Sequence, residues 1–542
     1  MFPFSNNAVG RSASLTLLIA LLLLAKGVFM GLYVTPLDFV PDERAHYAYA
    51  LKLASGDGVP KIGEDAVPRS ILVDPPPLGT DLSSEAWTVD GELEGATGNW
   101  AAQHPPAYYM VAAGAIRIAA LFSDDPADLV RAPRMVSAVS YALVFLLLVA
   151  TLRAAAVEHW TSVSVALGFS SLPTVSLLAG GTNHDMFLLA AASAATLCFV
   201  LAVRDQSARY ALLAAAALAL ASATKMTAWI LAGCLIVALL LEAPAVRRRL
   251  IQVGVIVPIV AFSTPLLWML RNYRLYGDPL RVAGDHQERL MTAEPVAFTT
   301  FLAEQPVFEQ FFLHFYGLTG WRGERMMLQA DGLPRHFFAT VIAIVTVLAV
   351  AFILWRVIAA IRGTNWSHHK ELVIDWLAYP LRRRFVAWPL IAAAVAVGGY
   401  LAVNAFLVSY RLPGFFGGLR TAVIAASLFL AVTSVVLVFF ETRWRYRLVY
   451  YALGTFGVFG ALLMSQIYIS FIAYEWLRGI HGRYFLPVVP LLLLTVGILL
   501  MRWRIPAVLS LIVALGLLAM EASVLVEQYV PHYYSRGGYE GL

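Results

Sequence analysis

The chain has 542 residues, 60% of them hydrophobic and 13% charged, and a mean hydropathy of +0.73. That balance excludes an ordinary soluble domain and points to an all-α polytopic membrane protein. The net charge of +5 is modest and membrane sidedness accounts for its clusters, so no nucleic-acid role is expected.

The first apolar run, Ser12 to Val34, is too long for the core of a signal peptide, and no small-residue cleavage site follows it. It is expected to be a retained first span. Pro41-Asp42-Glu43-Arg44-Ala45-His46 comes next and sets two adjacent carboxylates near a membrane surface, at the start of an expected surface helix running to about Ala54. Further apolar runs follow at 105–122, 133–152, 160–180, 185–203, 208–223, 226–242, 250–270, 337–361, 386–409, 419–440, 448–473, 484–501 and 505–526. Cys198 and Cys234 fall inside such runs, where a cysteine is a small packing residue rather than half of a disulfide.

If all fourteen runs cross and the N-terminus is cytoplasmic, Arg247-Arg248-Arg249, Arg382-Arg383-Arg384 and Arg443/Arg445/Arg447 land outside, against the positive-inside tendency. The weakest run is 105–122, which starts at a proline pair, contains Arg117 and ends at Ser123-Asp124-Asp125-Pro126. Assigned to the outer interface, it leaves about 13 crossings and returns those clusters to the cytoplasm. The expected organisation is a transmembrane module over 1–361 with external loops 35–132 and 272–336, a cytoplasmic basic loop over 362–385, and C-terminal helices over 386–542 with a short external tail. No repeat of fixed period and no pair of interrupted helices stands out.

With sidedness assigned, the basic residues expected outside are Arg131, Arg134, Lys225, Arg271, Arg274, Arg411, Arg420, Arg478 and Arg483. Singly, each reads as a headgroup anchor; together, on one face with Asp42, Glu43 and Asp185, they suit an anionic lipid phosphate. Each acid has a plainer reading as well. Asp42 and Glu43 complement a helix dipole in a first turn, and Asn183 or Asp185 caps the helix that follows Gly180-Gly181. His104 and Tyr108, one turn apart at the start of the interfacial helix, are either belt anchors or hydrogen-bond donors to a phosphate or acceptor. Asp42, His46 and Asp185 are the candidate ligands should a divalent cation assist; no cofactor is otherwise called for. Lys26, inside the first span, is expensive there and must face protein.

This set of residues resembles the GT-C superfamily of membrane glycosyltransferases that use polyprenyl-phosphate-linked sugars, and in particular a bacterial group with a Pro-Asp-Glu motif after the first span. The matching pieces are Pro41-Asp42-Glu43 with His46, His104-Pro105-Pro106-Ala107-Tyr108-Tyr109, Asn183-His184-Asp185, Trp268-Met269-Leu270-Arg271-Asn272 leading to Gly277-Asp278-Pro279, and Gly482-Arg483-Tyr484-Phe485-Leu486-Pro487. The resemblance implies a GT-C-like helical fold in a bacterial cytoplasmic membrane with its site facing the exterior. It implies inverting transfer of a hexose or pentose from a polyprenyl-phosphate donor to an acceptor hydroxyl on a cell-envelope glycan or lipid. Carried over, Asp42 comes foremost as base, then Glu43, with Asp185 as the second acidic position; Arg134, Lys225, Arg271 and Arg483 become phosphate ligands. Two rival readings use the same external cations: a flippase or transporter of lipid-linked glycans, and a polysaccharide polymerase or ligase.

Overall fold

A computed structural model describes residues 6–89, 92–93, 96–242, 255–281, 300–301, 305, 318–319, 326–327, 443–474 and 482–529. The expected spans at 337–361, 386–409 and 419–440, the basic loop 362–385, and Arg411, Arg420 and Arg478 lie outside these described residues.

Helix α1 (Asn6–Phe29) continues through a π-helical turn, Met30–Val34, into a long connection that contains α2 (Glu43–Ser55). That region carries the short strand pair β1 (Ala66–Pro68) and β4 (Ala96–Gly98), antiparallel, around a small hairpin of β2 (Thr88–Val89) and β3 (Glu92–Leu93). Then come α3 (Ala107–Ala119), α4 (Pro126–Ala154), α5 (His159–Ser170), α6 (Pro173–Ala179), α7 (Asp185–Asp205), α8 (Ala208–Ser222), α9 (Ala228–Leu241), α10 (Ile256–Tyr276), α11 (Trp444–Tyr474), a 3-10 turn at Gly482–Val488, α12 (Val489–Arg502) and α13 (Ala507–Ser523).

Local chemistry starts these helices where the chain changes direction. Asp125 accepts from the Ala127 amide and Pro126 occupies the first turn of α4, while Glu158 accepts from the Trp160 and Thr161 amides at the head of α5. At 13 residues, α3 is about 20 Å long, short of a hydrocarbon core of about 30 Å, as are α8 at 15 residues and α9 at 14, so length does not set α3 apart from those two expected spans. Its Tyr108, Tyr109, Ala112 and Ile116 pack on Tyr47, Tyr49 and Leu51 of α2, so the α1–α3 connection has an apolar core of its own.

Among the described residues six helices are long and apolar enough to cross a membrane, or seven if one bent pair counts as a span. The bent pair corrects the expectation for 160–180: instead of one straight span, α5 and α6 meet at 74°, because Pro173 cannot donate to the ladder and opens a new helix. Helices α7 and α4 run through the middle of the bundle, α7 packing on α8 and α4, and α4 on α1. The start of α7 thereby comes to lie against α2, where the Thr182 amide donates to Glu43.

Candidate active site

Four side chains from distant parts of the chain meet at the start of α7. Lys225, in the α8–α9 turn, donates to Asp185 Oδ1 at 2.8 Å. Arg483, in the 3-10 turn before α12, donates through Nη2 to Asp42 Oδ2 at 2.8 Å and through Nη1 to Asp185 Oδ2 at 3.5 Å. Trp100 Nε1–H donates to the other Asp42 oxygen at 2.9 Å. Two carboxylates thus face two cations in a buried, charge-balanced group. Asp42 keeps 20% side-chain exposure while Asp185 has none, so Asp42 is the carboxylate at the mouth. Tyr484 lies beneath both cations, its ring centre 4.9 Å from Lys225 Nζ and 5.7 Å from the Arg483 guanidinium.

The backbone prepares this geometry. Asn183 Oδ1 accepts from the Asp185 and Met186 amides, so Asn183 does the capping and leaves the Asp185 carboxylate to the cations. Asp42 sits at the head of α2 in the left-handed region, at φ 66°. Aspartate tolerates that conformation better than most residues, and strain of this kind tends to collect at functional sites. The Gly180-Gly181 pair is required by close approach: a Cβ on Gly181 would lie 2.1 Å from Val40 Cγ2, and one on Gly180 2.4 Å from Thr35 Oγ1. Burial raises the Asp42 carboxyl, but the Arg483 charge, with hydrogen bonds from Arg483 and Trp100, outweighs it and holds the group below the usual carboxylate range.

Several expected ligands do something else. Glu43 and Arg134 are bound to each other: Arg134 Nε and Nη2 donate to the two Glu43 oxygens at 2.8 and 2.9 Å. The remaining Arg134 donors go to the carbonyls of Gly31, Thr35 and Pro36, and Glu43 also accepts from the Asp38 and Thr182 amides. With every donor filled and both side chains buried, this pair ties together the end of α1, α2, α4 and the turn before α7. Its saturation leaves neither a free base at Glu43 nor a free fork at Arg134, which corrects both sequence assignments. Arg271 stacks on Trp268 at 4.5 Å and donates to the Pro60 carbonyl at 2.9 Å and to Asn272 at 3.3 Å, outside the carboxylate group. Tyr108 is wholly buried between Tyr109 and Phe187 rather than open to a phosphate.

His104 does reach the site, through its ring: His46 and His184 lie together at 4.6 Å between centroids, and His104 and His184 at 4.5 Å. Among the described residues no group of three or more His, Cys, Asp or Glu side chains is arranged to hold a metal ion. The donor set of Asp42, His46 and Asp185 does not fit one, since Lys225 and Arg483 already neutralise both carboxylates. Sequence reasoning also passed over Trp100 and Glu521. Glu521 on α13 accepts from Lys26 Nζ at 2.6 Å, with Ser176 Oγ at 2.9 Å from the same ammonium, which gives Lys26 its protein partner. The signal for Glu521 was present as a lone acid inside an apolar run.

Residues 103–268 match the family described as dolichyl-phosphate-mannose-protein mannosyltransferase, less than a third of the chain. The matched segment includes Tyr109, Arg134, His184, Asp185 and Lys225 but neither Asp42 nor Arg483. No curated protein matches the chain. Among solved structures, ArnT from Cupriavidus metallidurans bound to undecaprenyl phosphate is similar at 13% identity and a TM-score of 0.32, over 90% of this chain and 77% of that one. The Archaeoglobus fulgidus oligosaccharyltransferase complex with Zn and sulfate is similar at 13% identity and a TM-score of 0.37, over 94% of this chain and 53% of that one. At those TM-scores neither likeness bears on the chemistry.

Proposed function

We propose that the protein transfers a sugar from a polyprenyl-phosphate donor to an acceptor hydroxyl at the outer face of a cytoplasmic membrane. The observation that carries this reading is the buried group of Asp42, Arg483, Asp185 and Lys225, with Asp42 at its exposed edge. The match of residues 103–268 to the dolichyl-phosphate-mannose-protein mannosyltransferase family supports a lipid-linked donor.

In this reaction the anomeric carbon loses its bond to the phosphate oxygen and gains one to the acceptor oxygen. Asp42 takes the acceptor's proton, the phosphate departs with the electron pair, and direct displacement inverts the anomeric centre. Arg483 and Lys225 stabilise the charge that grows on the leaving phosphate, more effectively in a buried site than in water. An incoming phosphate competes with Asp42 for the Arg483 fork and so releases the carboxylate to act as a base. A phosphate leaves without needing a proton, so no separate general acid is required. Asp185, fully buried between the two cations, holds them in place rather than touching the acceptor.

The test uses the full chain in proteoliposomes with radiolabelled undecaprenyl-phosphate hexoses and pentoses. Consumption of one donor, and a loss on the order of 10²- to 10⁴-fold in Asp42→Asn, is the expected result. Asparagine keeps the shape and tolerates the left-handed backbone, so the variant should fold. Movement of donor across the bilayer without consumption would instead favour a flippase, and undiminished turnover by Asp42→Asn would refute the base.

A further inference from the structure

Beside the carboxylates, each of three buried or half-buried histidines keeps one ring nitrogen that is inaccessible and without a hydrogen-bond partner: His46 Nε2, His104 Nδ1 and His184 Nε2. A buried nitrogen left unpaired costs roughly 1 to 3 kcal/mol; His184 Nε2 has the Asp185 carboxylate 3.5 Å away, so the expectation of a partner from outside the chain falls on His46 and His104. The remaining contacts of two of these rings determine what kind of partner.

The Tyr109 hydroxyl lies 2.8 Å from His46 Nδ1 and 3.4 Å from His184 Nδ1. A hydroxyl has one proton and two lone pairs, and with its proton given to one of these nitrogens it accepts from the other. In that arrangement, which leaves no hydroxyl proton unused, the two imidazoles adopt opposite tautomers. The choice is made at His184, whose Nε2 is 3.5 Å from Asp185 Oδ1. A bare lone pair there would face a carboxylate, so Nε2 carries the hydrogen and Nδ1 is the acceptor for Tyr109. Tyr109 in turn accepts from His46 Nδ1–H. His46 Nε2 is left as a bare lone pair, fully buried and within the field of Asp42. Burial lowers the His46 pKa to about 4, so the ring is neutral at neutral pH and that lone pair persists.

We propose that His46 Nε2 accepts a hydrogen bond from a hydroxyl of the bound substrate, with Tyr109, His184 and Asp185 as the positioning chain that holds the imidazole in the accepting tautomer. The ligand class is a hydroxylated group, sugar or alcohol, set against Asp42. The identity of that hydroxyl rests on the glycosyl-transfer reading; the tautomer assignment does not. Tyr109 is itself held by stacking on Tyr49, with ring centres 3.7 Å apart, so His46 on α2 and Tyr109 on α3 are both fixed by packed helices.

The test is nitrogen-15 NMR of the full chain, labelled at histidine, in lipid nanodiscs at pH 7.5, with His46 assigned by its absence in His46→Gln. Wild-type protein should show His46 protonated at Nδ1 and bare at Nε2. Tyr109→Phe should release it toward the Nε2–H tautomer. A wild-type His46 protonated at Nε2, or one unmoved by Tyr109→Phe, overturns the proposal whatever the protein's activity. A second arm measures consumption of radiolabelled undecaprenyl-phosphate hexose: Tyr109→Phe should lower kcat/KM roughly tenfold, the worth of one misdirected hydrogen bond. Full turnover by Tyr109→Phe alongside an active wild type removes the substrate contact. An inactive wild type with the expected tautomers counts against glycosyl transfer and leaves the tautomer chain standing.

Discussion

Arg483 and Asp42 are 441 residues apart in the chain and 2.8 Å apart in space. The same guanidinium also reaches Asp185, so one side chain from the C-terminal part of the molecule joins the head of α2 to the head of α7. A flat fork with fixed donors can serve two carboxylates at once; a lysine ammonium is a single point of charge.

Arg483→Lys should therefore keep the net charge yet lose at least tenfold in kcat/KM for the lipid-linked donor, because one carboxylate goes unserved. Arg483→Met should lose more, since Asp42 and Asp185 are then left to Lys225 alone. Steady-state rates in detergent micelles, with circular dichroism to confirm the fold, read this out. Equal rates for Arg483→Lys and wild type would contradict the bridging role.

The Glu43–Arg134 pair should matter to stability first. Arg134→Met strands a carboxylate that is otherwise fully buried, a loss of about 3 to 5 kcal/mol, and Tm should fall accordingly. Glu43→Gln strands the guanidinium with a comparable loss. The double variant Glu43→Gln/Arg134→Met should regain part of the deficit, because no uncompensated buried charge remains. Glu43→Gln that kept wild-type Tm but lost activity would restore Glu43 to the catalytic list.

Gly181→Ala places a methyl 2.1 Å from Val40 Cγ2, so either the turn before α7 or the segment before α2 must shift. We expect a loss of about 1 to 3 kcal/mol together with reduced turnover, because those two segments carry Asp185 and Asp42. Val40→Ala in the same chain should return much of both. Activity lost with no recovery on adding Val40→Ala would point to a cause other than the close approach.

Stability should decline as pH falls below neutrality, with His46 as one source. Its folded pKa is about 4 against an ordinary value of 6.5. Between those values the unfolded chain binds a proton that the folded chain refuses, so stability is full above pH 6.5 and is lost on the way down to about pH 4, by on the order of 3 kcal/mol. His104 and His184, also depressed by burial, add to the slope in the same direction. His46→Gln should flatten the profile of Tm against pH in that window; an unchanged slope would mean that His46 is not held neutral.

Lys26 and Glu521 offer a further test inside the bundle. Lys26→Met leaves Glu521 buried without its ammonium and should lower Tm, and adding Glu521→Leu should restore part of it. Lys26→Met as stable as wild type would show that the pair does not hold α13 to α1.

How much of this was legible beforehand differs from residue to residue. The membrane class, an apolar first helix, a short helix after Pro41 and a break between that helix and α4 filled by the short α3 follow from local properties: hydropathy, length and helix-starting chemistry. Asp42, Asp185, Lys225 and Arg483 were legible as residue types out of place near apolar ends. Their pairing was not, because they belong to four separate segments.

Composition and periodicity alone determined that the chain is a helical membrane protein with acids and cations gathered near span ends. Only the tertiary structure decided between Asp42 and Glu43, which are neighbours in sequence. The left-handed backbone at Asp42 and the helical start at Glu43 send the two carboxylates to different partners: one to Arg483 and the exposed edge, the other into the buried grip of Arg134. A one-dimensional pattern carries no record of which distant cation a carboxylate will meet, since that depends on how α4, α7 and the turn before α12 pack.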